Sequence, residues 1–141
     1  MSDAVLGTPF TLHAGDARNL TGLLRQVAEA AVEGMPRSES SLPTPFIQAT
    51  ITSPPYGRLV DYGVTEQIGH GQSEEDYLSD CRAVFKTIYD WTKPEGVLWI
   101  VADSFLDQSV PAGTPSRFRP LPFTLAHLAE SEGWTLREVV I

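Results

Sequence analysis

The sequence predicts an α/β fold with a mostly parallel sheet and flanking helices, because strand-like and helix-like segments alternate along the chain. Residues 46–52 form a short β-branched run that ends at Pro54, and residues 97–102 form a continuous apolar run; both are typical of buried parallel strands. Between them, apolar residues recur at helical spacing over 77–89, after a Ser73 cap that precedes three acidic residues.

Glycine, proline and weaker apolar periodicity define the other predicted elements. In chain order they are a strand at 11–14, a helix at 18–32, loops at 35–45 and 57–72, a turn at 93–96, a loop at 106–120, a helix around 125–129 and a strand at 135–141. Structureless loops as long as 57–72 are uncommon in compact domains and are usually functional or disordered.

Composition places the chain among ordinary globular proteins. Its 141 residues suit one domain, and 42 % of them are hydrophobic. The sequence has no apolar run of about 18 residues, as a membrane span requires, and no signal-peptide pattern at Met1. We therefore expect a cytoplasmic protein without a membrane partner.

The net charge of −8 argues against DNA binding by the overall charge of this chain, because phosphate contacts need Lys and Arg. A DNA-contacting surface must be local or lie elsewhere. Arg58, Arg117 and Arg119 are candidates for phosphate contacts, and Arg58 is the better one, but a solvated loop position is the favoured interpretation of all three. The three histidines have no metal-ligand spacing, so no metal site is predicted. Cys81, the single cysteine, lies on the apolar helix face and is expected in the core.

The residues that carry chemistry follow the predicted strand 46–52: Ser53, Pro54, Pro55, Tyr56 and Gly57. In open α/β sheets, ligands bind at the carboxyl ends of the strands. Two consecutive prolines stiffen the turn and remove two backbone donors, while their carbonyl oxygens remain as acceptors. The turn therefore presents acceptors, one hydroxyl and one aromatic face.

That combination suits an exocyclic amine on a flat ring, such as N4 of cytosine or N6 of adenine. Ser53 and the Pro54 carbonyl could accept the two amine N–H groups and favour the pyramidal nitrogen that attacks a methyl sulfonium. Tyr56 could stack on a base that has left the duplex. The simpler interpretation is a rigid turn with a packed aromatic ring. Asp103 and Ser104, at the end of the strand 97–102, could likewise approach a ligand or cap a turn, and a turn is favoured.

The sequence resembles a known family, the DNA amino-methyltransferases of the β arrangement, which modify cytosine N4 or adenine N6. The resembling segments occur in the family's order over nearly the whole chain. They are Gly15-Asp16-Ala17-Arg18, Ile51-Thr-Ser-Pro-Pro-Tyr-Gly57, Asp61-Tyr62-Gly63, Gln67-Ile68-Gly69, the helix from Ser73, Lys93-Pro-Glu-Gly-Val-Leu-Trp99, Gly133-Trp-Thr-Leu-Arg137 and Val139-Val140-Ile141.

The resemblance implies a partial Rossmann-like methyltransferase fold with S-adenosylmethionine as cofactor and DNA, with a flipped base, as substrate. It implies that Ser53, Pro54, Pro55 and Tyr56 form the catalytic pocket. Asp16 is implied as a cofactor contact. Serine at the first motif position favours cytosine N4, with adenine N6 the alternative.

One family element does not occur in the sequence: the cofactor-binding Phe-x-Gly-x-Gly, which in this arrangement follows the target-recognition region. Residues 1–141 are therefore interpreted as the catalytic half of a methyltransferase domain, from a fragment or a split enzyme. A second polypeptide would then carry the cofactor-binding half. We expect the chain alone to bind S-adenosylmethionine poorly and to be inactive.

Two alternatives stay open at the sequence level. Methylases of protein glutamine and of RNA share the Pro-Pro-Tyr pocket, but they carry the glycine-rich cofactor motif before it, and no Gly-x-Gly precedes Ser53 here. The other alternative is a non-catalytic or degenerate fragment that acts only as an assembly partner.

Overall fold

The computed structural model describes residues 11–31, 45–107 and 111–140. Its helices are α1 (Leu20–Ala31), α2 (Glu74–Trp91) and α3 (Leu121–Ser131), and short 3₁₀ helices span Ala17–Asn19 and Gly57–Leu59. Its strands are β1 (Ile47–Thr52), β2 (Thr92–Ile100), β3 (Phe105–Asp107) and β4 (Arg117–Arg119). β1 pairs with β2 in parallel and β3 with β4 antiparallel, so the described chain is mixed α/β. A larger Rossmann-like sheet stays a prediction.

Helix α2 is the central element of the packing. The Ser73 side chain accepts a hydrogen bond from the Asp76 amide, and three acidic residues in the first turn complement the positive end of the helix dipole. The buried side chains of α2 lie on one face: Tyr77, Cys81, Phe85, Ile88 and Trp91. The sequence predicted Tyr89 in place of Trp91 at the end of this face. Trp91 is buried because its ring meets that of Phe46 edge-on, with centroids 5.7 Å apart, at the entrance to β1.

The parallel pairing of β1 with β2 confirms the two predicted strands. Ile51 pairs with Trp99 and Thr52 with Ile100, and the Val101 amide extends the ladder by donating to the Thr52 carbonyl at 2.9 Å. Helix α2 makes the crossover that two parallel strands require. The chain that follows each strand therefore leaves from the same edge of the sheet.

The turn predicted at 93–96 is an irregularity inside β2. Ile47 pairs with Thr92 but Ala49 pairs with Val97, so extra residues of β2 bulge out of the ladder. Gly96 makes this bulge possible, because a Cβ there would lie 3.0 Å from the Lys93 carbonyl oxygen.

The sequence predicted a buried strand over 97–102, which includes Trp99, and this is wrong for one face of the strand. Trp99 is 53 % exposed and its partner Ile51 is 75 % exposed. Leu98 and Ile100, on the opposite face, pack against the core formed by α2 and α3. Within the described residues the helices cover one face of this sheet, so the continuous apolar run has one packed side and one open side.

The strands predicted at 11–14 and 135–141 are also wrong where they are described. Residues 11–14 and 135–140 are irregular and exposed, and no described strand pairs with them. A strand needs a hydrogen-bonded neighbour, which local sequence does not provide. Ile141, Val32 and residues 35–44 of the predicted loop lie outside the described residues.

Part of the loop predicted at 106–120 is a hairpin instead. Phe105 pairs with Arg119 and Asp107 with Arg117 in the β3–β4 ladder. The predicted helix around 125–129 is confirmed as α3, which ends before Gly133 at φ +105°. Beyond it, the Trp134 indole donates to the Phe85 carbonyl at 3.2 Å and ties α3 to α2. Within the described ranges, no helix combines the length and the apolar character that a bilayer crossing requires.

We expect Leu125→Ala to lower the free energy of unfolding by about 2–5 kcal/mol, because Leu125 is 0 % exposed and its loss leaves a cavity between α2 and α3. The matched control is Phe123→Ala on the same helix, at a side chain that is 55 % exposed. We expect the control to stay within about 0.5 kcal/mol of the wild type. Urea unfolding followed by circular dichroism measures both, and equal losses would contradict this packing.

Candidate functional site

The Ser53–Tyr56 turn leaves the carboxyl end of β1. Ser53 is exposed, Pro54 is buried, and Pro55 and Tyr56 are half-buried. The proline rings restrict the backbone and contribute no N–H donors, so a hydroxyl and carbonyl oxygens dominate the polar surface of the turn. The structure therefore places the predicted catalytic residues together at the edge where α/β proteins bind ligands.

Tyr77 anchors this turn to the core. It lies in the first part of α2, is buried, and its hydroxyl donates to the Pro55 carbonyl oxygen at 2.7 Å. Burial, together with the neighbouring Cys81, raises the pKa of Tyr77 above its ordinary value. The hydroxyl therefore stays protonated at neutral pH and remains a donor to Pro55. The apolar spacing of α2 predicts Tyr77 on its buried face but gives no sign of this contact.

The loop after the turn folds back against it. Gly57 begins the 3₁₀ helix Gly57–Leu59 at φ +56°, and Gly69 lies directly over it at φ +93°. A Cβ on Gly69 would be 2.6 Å from the Gly57 Cα and 2.8 Å from the Gly57 carbonyl oxygen. Glycine is thus required at 69 by the close approach of the two backbones as well as by its positive φ, and it is favoured at 57 by its positive φ.

Side chains of the loop 57–72 hydrogen-bond to its own backbone. The side-chain nitrogen of Gln67 donates to the Val60 backbone carbonyl at 2.6 Å, and its side-chain oxygen accepts from the Tyr62 backbone amide at 2.7 Å. The Asp61 carboxylate accepts from the Gly63 amide at 2.7 Å. These contacts involve the segments 61–63 and 67–69, which were singled out by the family resemblance. The long loop is therefore an ordered part of the site.

A cavity of about 540 Å³ opens beside Tyr56. Its walls come from the start of the loop, from α2 and from the β3–β4 hairpin. Representative lining residues are Tyr56, Gly57, Tyr77, Phe105, Phe118 and Leu121. Of the four predicted catalytic residues, Tyr56 lines this cavity, whereas Ser53, Pro54 and Pro55 do not. The aromatic side chains on its wall match the flat, apolar faces of a nucleobase.

Arg119 crosses the rim of the cavity. Its Nη1 lies 2.9 Å from both carboxylate oxygens of Glu74, and its Nη2 lies 3.1 Å from Oδ2 of Asp107. The guanidinium therefore joins the hairpin to the first turn of α2. The sequence interpretation of Arg119 as a solvated or phosphate-contacting residue missed this pairing. The spacing of Arg117 and Arg119, on one side of a short strand, was the available signal.

Asp16 is engaged by Arg18. Its oxygens accept from the Arg18 backbone amide at 2.9 Å and from the guanidinium at 2.7–3.1 Å. The Arg18 hydrogen bonds hold the pKa of Asp16 below its ordinary value. Asp16 also caps the 3₁₀ helix Ala17–Asn19. A role in cofactor binding stays a prediction, and it would require a cofactor group to share oxygens that Arg18 already uses.

Two further kinds of site, a metal centre and a reactive cysteine, are disfavoured in the described part of the chain. No cluster of three or more His, Cys, Asp or Glu side chains there could hold a metal ion. Cys81 is buried beside Tyr77, and burial raises the pKa of its thiol to about 11, so it is a core residue and a poor nucleophile at neutral pH. The Asp103 carboxylate accepts from the Ser104 amide at 2.7 Å, and the turn interpretation of this pair stays a prediction. The Arg58 side chain lies outside what the structure describes.

The described chain is mixed α/β, and its predicted catalytic turn follows a strand of the parallel pair. A family model described as a DNA methylase matches residues 47–141, which is more than half of the chain. The chain therefore belongs to the DNA amino-methyltransferase family, and the resemblance inferred from its motifs is confirmed.

Similar proteins include three bacterial methyltransferases. The type II methyltransferase M.SfiI of Streptomyces fimbriatus is 28 % identical over 112 residues, which cover 72 % of this chain and 27 % of that protein. M.Cfr9I of Citrobacter freundii is 29 % identical over 122 residues, which cover 71 % of this chain and 41 % of that protein. M.SmaI of Serratia marcescens is 29 % identical over 136 residues, which cover 81 % of this chain and 44 % of that protein.

The chain thus matches less than half the length of each of these relatives. No solved structure matches it significantly.

We expect Tyr77→Phe to lower the free energy of unfolding by about 1 kcal/mol, because the half-buried Pro55 carbonyl loses its donor while the ring packing is kept. Tyr89→Phe is the matched control, since it removes a hydroxyl from an exposed side chain of the same helix. Urea denaturation of both variants measures the difference. Equal stabilities for the two variants would argue against the Tyr77–Pro55 contact.

Proposed function

We propose that this chain supplies the base-binding side of a type II DNA methyltransferase active site that transfers a methyl group to an exocyclic base amine. The observation that supports this most directly is the Ser53–Tyr56 turn, held by Tyr77 beside a cavity with aromatic walls. The relatives that match the chain are type II methyltransferases. DNA is the proposed substrate, and its target base would be flipped out of the duplex to reach the turn.

In this proposal the turn prepares the amine. The Ser53 hydroxyl and the Pro54 carbonyl accept its two N–H groups and hold the nitrogen out of the plane of the ring. These hydrogen bonds strengthen as the nitrogen gains positive charge, so they favour the transition state over the bound substrate. Tyr56 stacks on the base and orients it, and Tyr77 keeps the backbone of the turn in place.

S-adenosylmethionine is the methyl donor that the family uses, and when bound it supplies an electrophilic methyl group. The described residues fit the amine better than this cofactor. The sequence contains no Phe-x-Gly-x-Gly element, and both Asp16 oxygens accept from Arg18. We therefore assign the cofactor side mainly to polypeptide beyond these residues, either a continuation of the chain or a second subunit.

Cytosine N4 is the proposed target, and adenine N6 is the alternative. Serine at the first motif position supports cytosine, since the adenine enzymes of the family more often have Asp or Asn there. The net charge of −8 supports phosphate contacts made by another part of the enzyme. The proposal includes modification of DNA at a specific site as part of restriction–modification. It places this activity in the cytoplasm.

The second candidate function is that of a non-catalytic assembly partner. The observation in its favour is the open apolar face of the β1–β2 sheet, where Ile51 and Trp99 are largely exposed. Large exposed apolar side chains are typical of surfaces that other polypeptides cover. This candidate predicts no methylated base under any condition, so the measurement of methylation separates the two functions.

Methylation is tested by expressing the chain together with the coding sequence that follows it and digesting the host DNA to nucleosides. We expect N4-methylcytosine by mass spectrometry, and a loss on the order of 100-fold in rate for Ser53→Ala, because one transition-state hydrogen bond disappears. Ser79→Ala, at an exposed serine of α2, is the matched control and should be fully active.

N6-methyladenine would replace the cytosine assignment. The absence of both modified nucleosides would favour the assembly partner.

Cofactor binding is tested by titrating S-adenosylmethionine into the 141-residue chain in a calorimeter. We expect little or no heat of binding, because the described residues present acceptors for an amine but no glycine-rich cradle for a nucleoside. Circular dichroism verifies that the sample is folded. Tight stoichiometric binding would contradict the division of the active site between this chain and another segment.

A further inference from the structure

We propose that Arg18 is a positioning residue of the catalytic turn: it holds the loop 57–72 so that Gly69 presses on Gly57. This inference rests on the proposed function where it concerns catalysis. The hydrogen bonds of Arg18 are observed in the structure and do not depend on that function. Arg18 lies outside the residues 47–141 that match the family model. The inference therefore gives the segment before β1 a role in shaping the site.

The Arg18 guanidinium joins three separate parts of the chain. Asp16 orients it through Nε and Nη2, within the same short segment. Its Nη1 donates to Oδ2 of Asp80 on α2 at 3.2 Å. Its Nη2 also donates to the Glu66 carbonyl of the loop at 2.6 Å. A planar fork of donors can make these contacts at once, which a lysine ammonium on a flexible stem does less well.

A second set of contacts leads from Asp80 to the loop. Oδ2 of Asp80 accepts from the Gln72 amide at 2.9 Å in addition to Arg18. The Gln72 side-chain oxygen accepts from the Gly69 backbone amide at 2.5 Å. Asp80 is thus shared by the arginine that holds one part of the loop and the glutamine that holds the other. Loss of Arg18 would leave Asp80 with one partner fewer and the Glu66 carbonyl without this donor.

The contact between Gly69 and Gly57 transmits this placement to the turn. The two backbones are so close that even a methyl group on Gly69 would overlap Gly57, and Gly57 directly follows Tyr56. The side chains of Arg18, Asp16 and Asp80 are 24–32 % exposed, so these ion pairs are partly shielded from water. Hydrogen bonds to Asp16 raise the pKa of Arg18 further above its ordinary value, which agrees with a retained ion pair.

Gly69→Ala with Gly71→Ala as control tests the final contact of this path. Both positions have positive φ, but a Cβ on Gly71 meets nothing within 4 Å, whereas one on Gly69 meets Gly57. The shared backbone strain cancels between the two variants. Arg18→Ala, with the exposed Arg25→Ala on α1 as control, tests the start of the path. The two pairs act from opposite ends, so the proposal does not depend on one variant folding.

The first readout is amide hydrogen exchange. We expect exchange in residues 57–72 to quicken on the order of tenfold in Arg18→Ala and Gly69→Ala, with α3 unchanged. Arg25→Ala should match the wild type, and Gly71→Ala should show a smaller rise than Gly69→Ala because it has the backbone strain without the overlap. Unchanged exchange in the loop, or an equal rise throughout α3, would overturn the proposal.

The second readout reports on Tyr56 without requiring activity. The sequence has four tyrosines, so 3-fluorotyrosine labelling yields four ¹⁹F resonances, and Tyr56→Phe identifies the one of interest. We expect a shift of that resonance in Arg18→Ala and none in Arg25→Ala. A loop that opens while the Tyr56 resonance stays in place would reduce Arg18 to a structural residue and overturn the positioning role.

The third readout is the rate of DNA methylation by the chain expressed together with the coding sequence that follows it. In Arg18→Ala the turn should lose its geometry, while DNA binding is retained. We expect Arg18→Ala to lower kcat on the order of tenfold and to leave the KM for DNA unchanged relative to Arg25→Ala. An unchanged kcat would overturn the positioning role. If no variant and no wild type methylates DNA, but exchange and ¹⁹F spectra change as expected, the proposed function fails and the Arg18 contact stands.

Discussion

The apolar face of α2 is the constraint on which the rest of the structure depends. Phe85 and its neighbours bury that face against α3 and the inner side of the sheet. The same face ends at Tyr77, whose hydroxyl leaves the core and holds the Pro55 carbonyl. The position of the Ser53–Tyr56 turn is therefore set by the packing that stabilises the domain. A change in the core next to Tyr77 would reach the turn through a single side chain.

Two arginines near the site form ion pairs with carboxylates of the same chain. Arg119 binds Glu74 and Asp107 at the cavity rim, and Arg18 binds Asp16 and Asp80 beside the loop. Both arginines use planar donor forks to join elements that are distant in sequence. These cations stabilise the frame of the site rather than offering an open basic surface. That agrees with the net charge of −8 and with the proposal that another part of the enzyme contacts DNA phosphates.

The two faces of the β1–β2 sheet have different surroundings. Leu98 and Ile100 pack against the core, while Ile51 and Trp99 point away from it and are exposed. The chain matches less than half the length of the three relatives described above. Family membership supports the proposed chemistry, and the open face supports the proposal that further polypeptide covers this side of the sheet. The two functions proposed for the chain differ only in whether that completed assembly methylates DNA.

Local sequence by itself determined the features that depend on neighbouring residues. The Ser73 cap, the helical period of α2 and the strand before Pro54 follow from short patterns and are present. The buried face of α2 nevertheless ends at Trp91 instead of Tyr89, and the strand is exposed at Ile51. Tertiary structure alone decided which faces are covered and which distant groups meet. Tertiary contacts decided the exposure of Trp99, the β3–β4 hairpin, the absence of strands at 11–14 and 135–140, and the Arg18 contacts with Glu66 and Asp80. Hydrogen bonding and burial between such partners leave no periodic signal in sequence, so only the folded chain reveals how the turn is held.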